Sequence, residues 1–546
     1  MKSIKTLILA VMILITGFTG CRPAEEREFD RQLQERIDQY EVVVLTSDLS
    51  WLSDWEREII PVLMQAADII DEIFWLQSYG PKGHLKELMD NPLAWEYALI
   101  NYGPWGRLEG HTAFYPGFED KPLGARFYPA DLDREEFNEW EDDTKTSPHT
   151  IIRRETDGTL VSIPYSVAFE QQNQEIARLL REAAEISEYP PFTRYLEKLA
   201  ESMLTYDFRE TDKAWMQMSD NNIDLILRPL DTGEDRKFGF KAAHSSYIIV
   251  KDLEWSAQLE RYAGMAPMLQ ERLPVPDEYK QEVPADDSEI FVYDALYYAG
   301  HCNAGPKIIA LYLPRDSEVT AITGTRSMQL KNVMEAKFDE ILMPIANMMI
   351  HEDQQQYISS NAFFLLTAFH EIAAALGITN TVDGNGTVRD ALLEYHGIID
   401  ATVTDLMALY LIAQLEEMGE ITREELQQAY VTSFASVMRS SRFGTAGAHG
   451  IAGMIRFNTF EREDVFTRDP DTQTYKVNVD NMKAAVEKTL GELIIIQGNG
   501  DYQAARNISN RDGSMPENLQ RDIDRINEAN IPVDVAFQQG TEYLDL

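Results

Sequence analysis

The chain has 546 residues, with 91 Asp and Glu against 49 Lys and Arg and a formal charge of -42. So acidic a surface repels polyphosphate backbones, which excludes nucleic acid as a partner. A hydrophobic content of 44% and a charged content of 26% are those of an ordinary globular protein. The length allows two or three lobes with sizeable cores.

In chain order, residues 1–20 stand apart from the fold. Lys2 and Lys5 give a basic start, Thr6 to Phe18 form an apolar run too short to span a bilayer, and small residues precede Cys21. This is the pattern of a bacterial lipoprotein signal. Cys21 is therefore expected to carry lipid and to anchor the chain to the lipid bilayer of the bacterial cell envelope, facing the periplasm or the surface. The only other cysteine, Cys302, leaves no intramolecular disulfide in the mature chain and reads as a small buried residue. Residues 21–39 are charged and polar and read as a tether.

From Val42 the pattern becomes globular. Asp48-Leu49-Ser50 is expected to open a helix over the 3.6-residue apolar stripe of WEREIIPVLMQAADIIDEIFWLQSYG. TIIRRETDGTLVSIPYS reads as a hairpin turning at Asp157-Gly158. Residues 168–204 read as helical, and DNNIDLILRPLDTGEDRKFGFKAAHSSYIIVKD alternates as strands do. Helices around 253–273, a Pro-rich loop at 274–285 and the segment VYDALYYAGHCNAGPKIIALYLPRD follow. From Gln329 to about Ile494 the pattern is mostly helical, with Thr422 and Glu425 spaced as a capping box.

The stretch with most chemical content runs from Asn361 to Gly419. NAFFLLTAFHEIAAALG is an apolar helix with His370 and Glu371 side by side, and VRDALLEYHGIIDATVTDLMALYLIAQLEEM is a long helical run. A zinc peptidase of the H-E-x-x-H type needs His at i and i+4 so that both lie on one helical face. Its Glu polarises the metal-bound water, and a third ligand comes from a second helix. Here the i+4 position is Ala374. His396 and Asp400, one turn apart, offer a replacement donor pair, although a solvated or hydrogen-bonded pair is the simpler reading. No G-x-S-x-G, P-loop or dinucleotide fingerprint is present.

FHEIAAALG together with NGTVRDALLEYHGIIDATVTDLMALYLIAQL resembles the dipeptidyl-peptidase III family of zinc metallopeptidases, in its shorter bacterial branch. The pattern there is F-H-E-V-A-H-G-L-G followed by A-L-E-E-G-K-A-D-I-L-G-L-Y. The likeness extends through NYGPWGRL, GARFYPADLDREEF and RFGTAGAHGIAGMIRFNTF, and runs from about residue 42 to the end. It implies an α+β, mostly helical fold of two lobes flanking a wide cleft. The mixed α/β lobe is expected over 40–251, 296–328 and 500–546, and the helical lobe with the former metal site over 252–295 and 329–499.

The resemblance also implies roles, residue by residue. His370 takes the place of the first zinc ligand and Glu371 that of the catalytic Glu. Ala374 and Ala401 stand where the second His and the ligand Glu belong, and His449 stands where the family stabilises the tetrahedral intermediate. In the E-x-Y-x-D motif that holds the peptide's amino terminus, Asp231 keeps the acid and Gly233 replaces the Tyr, with Glu234 beside them. Two Asn that hydrogen-bond the peptide backbone correspond to Tyr312 and Arg315, and His301 stands where an Asp is usual. The expectation is a lipid-anchored, catalytically inactive relative, with the zinc cofactor lost, that binds a peptide or protein in the cleft. The alternative is an active hydrolase of the same family with an altered metal site or mechanism.

Overall fold

The structure is a computed structural model and describes residues 24–546 except 281, 283–287 and 446. Cys21 lies outside the described residues.

The first described element is not a tether but a helix, α1 (Ala24–Ile37). Its polar composition hides Leu33 and Ile37, spaced i, i+4, which bury one face against the helix at Pro92–Asn101. Strand β1 (Tyr40–Val44) follows, and then α2 (Asp54–Ser78). Asp48 does not open that helix: its carboxylate accepts from Ser50 N in a local turn, and Ser53 with Glu56 forms the cap. Residues Thr150–Arg154 and Leu160–Pro164 pair antiparallel around Asp157-Gly158, as the turn chemistry requires. Two amphipathic helices, α3 (Glu170–Ile186) and α4 (Pro190–Thr205), then pack on one another.

The central sheet comprises β2 (Ile223–Asp231), β3 (Ala243–Lys251), β4 (Ser288–Gly300), β5 (Ala310–Leu313) and β6 (Thr325–Leu330), in the order β2-β3-β4-β6-β5. Only the β4–β6 pair is parallel. Every residue of β3 is buried, because α2 covers the sheet at its centre. β5 is left as an edge.

The second half is built from α5 (Ser360–Ala374), α6 (His396–Met418), α7 (Arg423–Ser441), α8 (Ala448–Arg462) and α9 (Val479–Gly498). Ser359 caps α5 by accepting from Ala362 N, and Thr422 with Glu425 forms the capping box of α7. The long helical run before Gly419 is interrupted: a short helix at Val388–Leu392 ends at Leu393, whose φ is +51°, and α6 starts afresh at His396. By length and composition the run Val388–Met418 would cross a membrane, but 83% of its apolar window is buried inside the fold, so it is a core helix.

Two hydrophobic cores result, one under the sheet with α2–α4 and one among α5–α9. β4 serves both: Ile290 and Val292 belong to the helical core, Tyr293 to Ala299 to the sheet core. The C-terminal segment is also divided. β7 (Asp534–Gln538) pairs parallel with β1, whereas Ala505, Leu519, Ile523 and Ile526 pack into the helical core. Residues 500–546 thus contact both halves, through the strand pairing on one side and the helical core on the other. The helices before β7 face the larger apolar surface of α6–α9.

Leu33 is fully buried. Leu33→Ala is therefore expected to lower unfolding stability by about 2–5 kcal/mol, as for other buried leucines. Chemical unfolding checks this, and a change below about 0.5 kcal/mol would return residues 24–37 to the status of a tether.

Candidate functional site

α5 ends at Ala374, so the His370-Glu371 pair sits on its last turn, facing the sheet. Glu371 reaches Ser327 of β6, whose Oγ donates to Oε2 at 3.4 Å. Ser327 pairs in register with Tyr312 of β5. The two side chains therefore lie on the same face of the sheet, as directly opposed antiparallel residues do. Tyr312 is exposed, and Arg315 stacks over its ring at 5.2 Å. Arg315 donates to Leu230 O at 2.9 Å and stands 3.9 Å from the Asp231 carboxylate. The three residues expected to hold a peptide, Asp231, Tyr312 and Arg315, are thus brought together through Arg315, which links the end of β2 to β5, the two outer strands of the sheet.

Glu234 does not join them. It is buried and bonded to Arg107 at 2.9 Å and to Lys121, with His301 3.9 Å away. Burial pushes its carboxyl upward, but the charges of Arg107 and Lys121 outweigh that and hold it well below the usual range. Burial lowers Lys121 to about 8. Glu234 is thus a structural anion. Next to it, a Cβ on Gly233 would stand 2.7 Å from the Asp231 side chain, so the glycine suits this tight approach.

On the helical side, His370 Nδ1 lies 3.0 Å from Asp405 Oδ1, and Arg456 is 2.9 Å from the other Asp405 oxygen. The His449 ring is 6.5 Å from that of His370. Burial works to lower the His370 pKa, but the hydrogen bond and charge of Asp405, with Glu371 beyond it, win and raise it. Burial works to raise Asp405, and Arg456 and His370 together hold it down. Ala374, one turn after His370, is exposed, and Ala401, one turn before Asp405, is buried. His396 and Asp400 form no ion pair, although they share a face.

Asp405 and Arg456 were both in segments whose pattern had been matched, yet neither had been given a role. Asp405 was the visible signal: it retains the last acid of the E-E-G-K-A-D pattern. The residues present do not fit a zinc ion with three protein donors. His370 keeps Nε2 for a metal while Asp405 holds Nδ1, but alanine offers no donor atom, and no group of three His, Cys, Asp or Glu converges among the described residues.

Because the folded-state pKa of His370 is raised, its contribution to stability is complete below the ordinary histidine value of about 6.5. That contribution is lost as pH rises through the raised folded value. Asp405→Asn is expected to lower the His370 titration midpoint seen by NMR of the imidazole protons, and to reduce this acid-side contribution. An unmoved midpoint would refute the pairing.

No family model matches the chain. Nudix hydrolase 3 of Arabidopsis thaliana is 28% identical over 569 residues, spanning 92% of this chain and 73% of that protein. The structure of dipeptidyl-peptidase III from Corallococcus sp. strain EGB is 29% identical, with a TM-score of 0.77, and covers 93% of this chain and 96% of that one. The structure of the enzyme from Caldithrix abyssi is 33% identical, with a TM-score of 0.89, and covers 93% of this chain and 99% of its counterpart. With that identity carried over the whole of both lobes, this chain belongs to the dipeptidyl-peptidase III family.

Proposed function

We propose that this protein binds a peptide, or an extended segment of a protein, in the cleft of a dipeptidyl-peptidase III fold without hydrolysing it. The observation that carries the reading is the presence of two alanines, Ala374 and Ala401, at positions where the family pattern has metal donors, which leaves His370 without partners for a three-donor site. Glu371 and His449 are then vestiges of catalysis. A positioned base alone contributes about 10²–10⁴-fold, far below what uncatalysed peptide hydrolysis requires.

What remains is a surface suited to binding. β5 is an edge strand with free main-chain groups, and an extended peptide can add to such an edge through backbone hydrogen bonds. Tyr312 and Arg315 supply side-chain contact, and Asp231 supplies charge. Zinc plays no part in this reading. The second reading, an active hydrolase of the family with an altered site, is favoured only by the persistence of Glu371 and His449. As a further part of the proposal, lipid on Cys21 holds the protein at a bacterial envelope membrane. Cys21→Ser is expected to shift it from the membrane pellet to the soluble fraction.

Two measurements test the proposal. Purified protein dialysed against buffer is expected to hold well under one zinc per chain and to release no dipeptides from short peptides. Chelator-sensitive release would establish the second reading instead. Ala374→His with Ala401→Glu is expected to bring zinc to about one per chain, the three-donor stoichiometry. Peptide release should remain weak, because Gly233, Tyr312 and Arg315 are unchanged. Full activity in that double variant would show that the peptide-holding positions matter less than argued here.

A further inference from the structure

A cavity of about 240 Å³ lies among α5, α6, α7 and α8, lined by His370, Asp405, Ser433, Ser436, Arg439 and Arg456. Its charge runs against that of the chain. A protein with 91 acidic and 49 basic residues here places two arginines and a histidine around a single carboxylate. That carboxylate is already shared: one Asp405 oxygen faces His370 Nδ1 and the other faces Arg456.

Arg439 has no counter-charge bonded to it among the described residues. Its Nε is enclosed with no acceptor, and its guanidinium makes no ion pair. The carboxylate that acts on it electrostatically, Asp534, is bonded to Lys337 at 2.9 Å. Arg456 Nε is likewise enclosed without an acceptor. Buried donors are nearly always satisfied, and a buried charge without a partner is costly. Both guanidinium groups line one small cavity, Arg439 with no ion-pair partner among the described residues and Arg456 with one bond to Asp405, and such a pair matches an oxyanion, which accepts from several directions at once. Ser433, buried and with its hydroxyl unused, adds a neutral donor.

We propose that this cavity binds a phosphate group, held between Arg439 and Arg456 with Ser433 donating to a further oxygen. The cavity exceeds the volume of the anion alone, so the source is either inorganic phosphate or the phosphate end of a small phosphomonoester. The proposal does not depend on whether the cleft binds peptide.

Calorimetric titration of the purified full chain with inorganic phosphate, and separately with glycerol 3-phosphate, tests it at matched ionic strength in chloride buffer. Saturable one-to-one binding is expected with at least one of the two, and the tighter of them identifies the source. The same ligand is expected to raise the thermal midpoint by mass action. Arg439→Met is expected to weaken binding at least tenfold while raising the ligand-free midpoint, because an uncompensated charge is removed. Ser433→Ala, a mild change that keeps the fold, is expected to weaken binding several-fold. No saturable binding of either ligand by the wild type overturns the proposal. So does wild-type affinity in Arg439→Met or, should that variant not fold, in Ser433→Ala.

Discussion

One strand ties the molecule together. β4 begins in the helical core and ends in the sheet core, and it is held on one side by β3 and on the other by β6. The register of β6 is fixed in turn by Arg326, which is fully buried, donates to Met218 O at 2.7 Å and lies against Trp215 and Phe291. Successive residues of a strand point to opposite faces, so an anchored Arg326 directs Ser327 the other way, to Glu371. A slip of one residue would take the arginine off Met218 O and turn Ser327 away from Glu371. The placement of Ser327 against Glu371 thereby rests on main-chain pairing and on the buried Arg326.

Within the helical lobe, Asp405 performs an analogous task. It lies between His370 and Arg456, so three charged groups on three helices compensate one another in largely apolar surroundings. All three are partly exposed, so removing one partner costs less than the about 3–5 kcal/mol typical of a fully buried pair. Asp405 thereby fixes the orientation of the His370 ring. Ala374 and Ala401 add the strong helix preference of alanine without any buried polar atom to satisfy. The packing of α5 on α6 is self-sufficient.

The sequence made some of this readable and hid the rest for identifiable reasons. The apolar stripe of α2, the Asp157-Gly158 turn, the Thr422–Glu425 box and the His370-Glu371 helix are local signals, and each stands where its pattern put it. α1 was hidden because only two of its residues are fully buried, with Phe29 partly so, while most of the helix is charged or polar. The break at Leu393 was hidden because a positive φ at a leucine leaves no compositional mark. Glu234 stands beside the E-x-Y-x-D position in sequence but is turned into the lobe. Its burial depends on Arg107 and Lys121, each more than 100 residues away in sequence. Non-local charge pairing of this kind cannot be read from spacing.

The division between Asp231 and Glu234 bears on what the cleft selects. A free peptide amine needs an uncommitted carboxylate, and Glu234 is committed to two cations inside the lobe. Asp231 is exposed, but Arg315 stands 3.9 Å away and competes for it, in a solvated setting where a single ion pair contributes about 0–1 kcal/mol. The edge of β5, by contrast, offers backbone groups that recognise an extended chain whatever its terminus. On the proposed reading, recognition has shifted from the end of a peptide toward its backbone. Such a cleft accepts an internal segment of a protein as readily as a short peptide, and this agrees with a site in which counting residues from an amino terminus no longer serves a reaction.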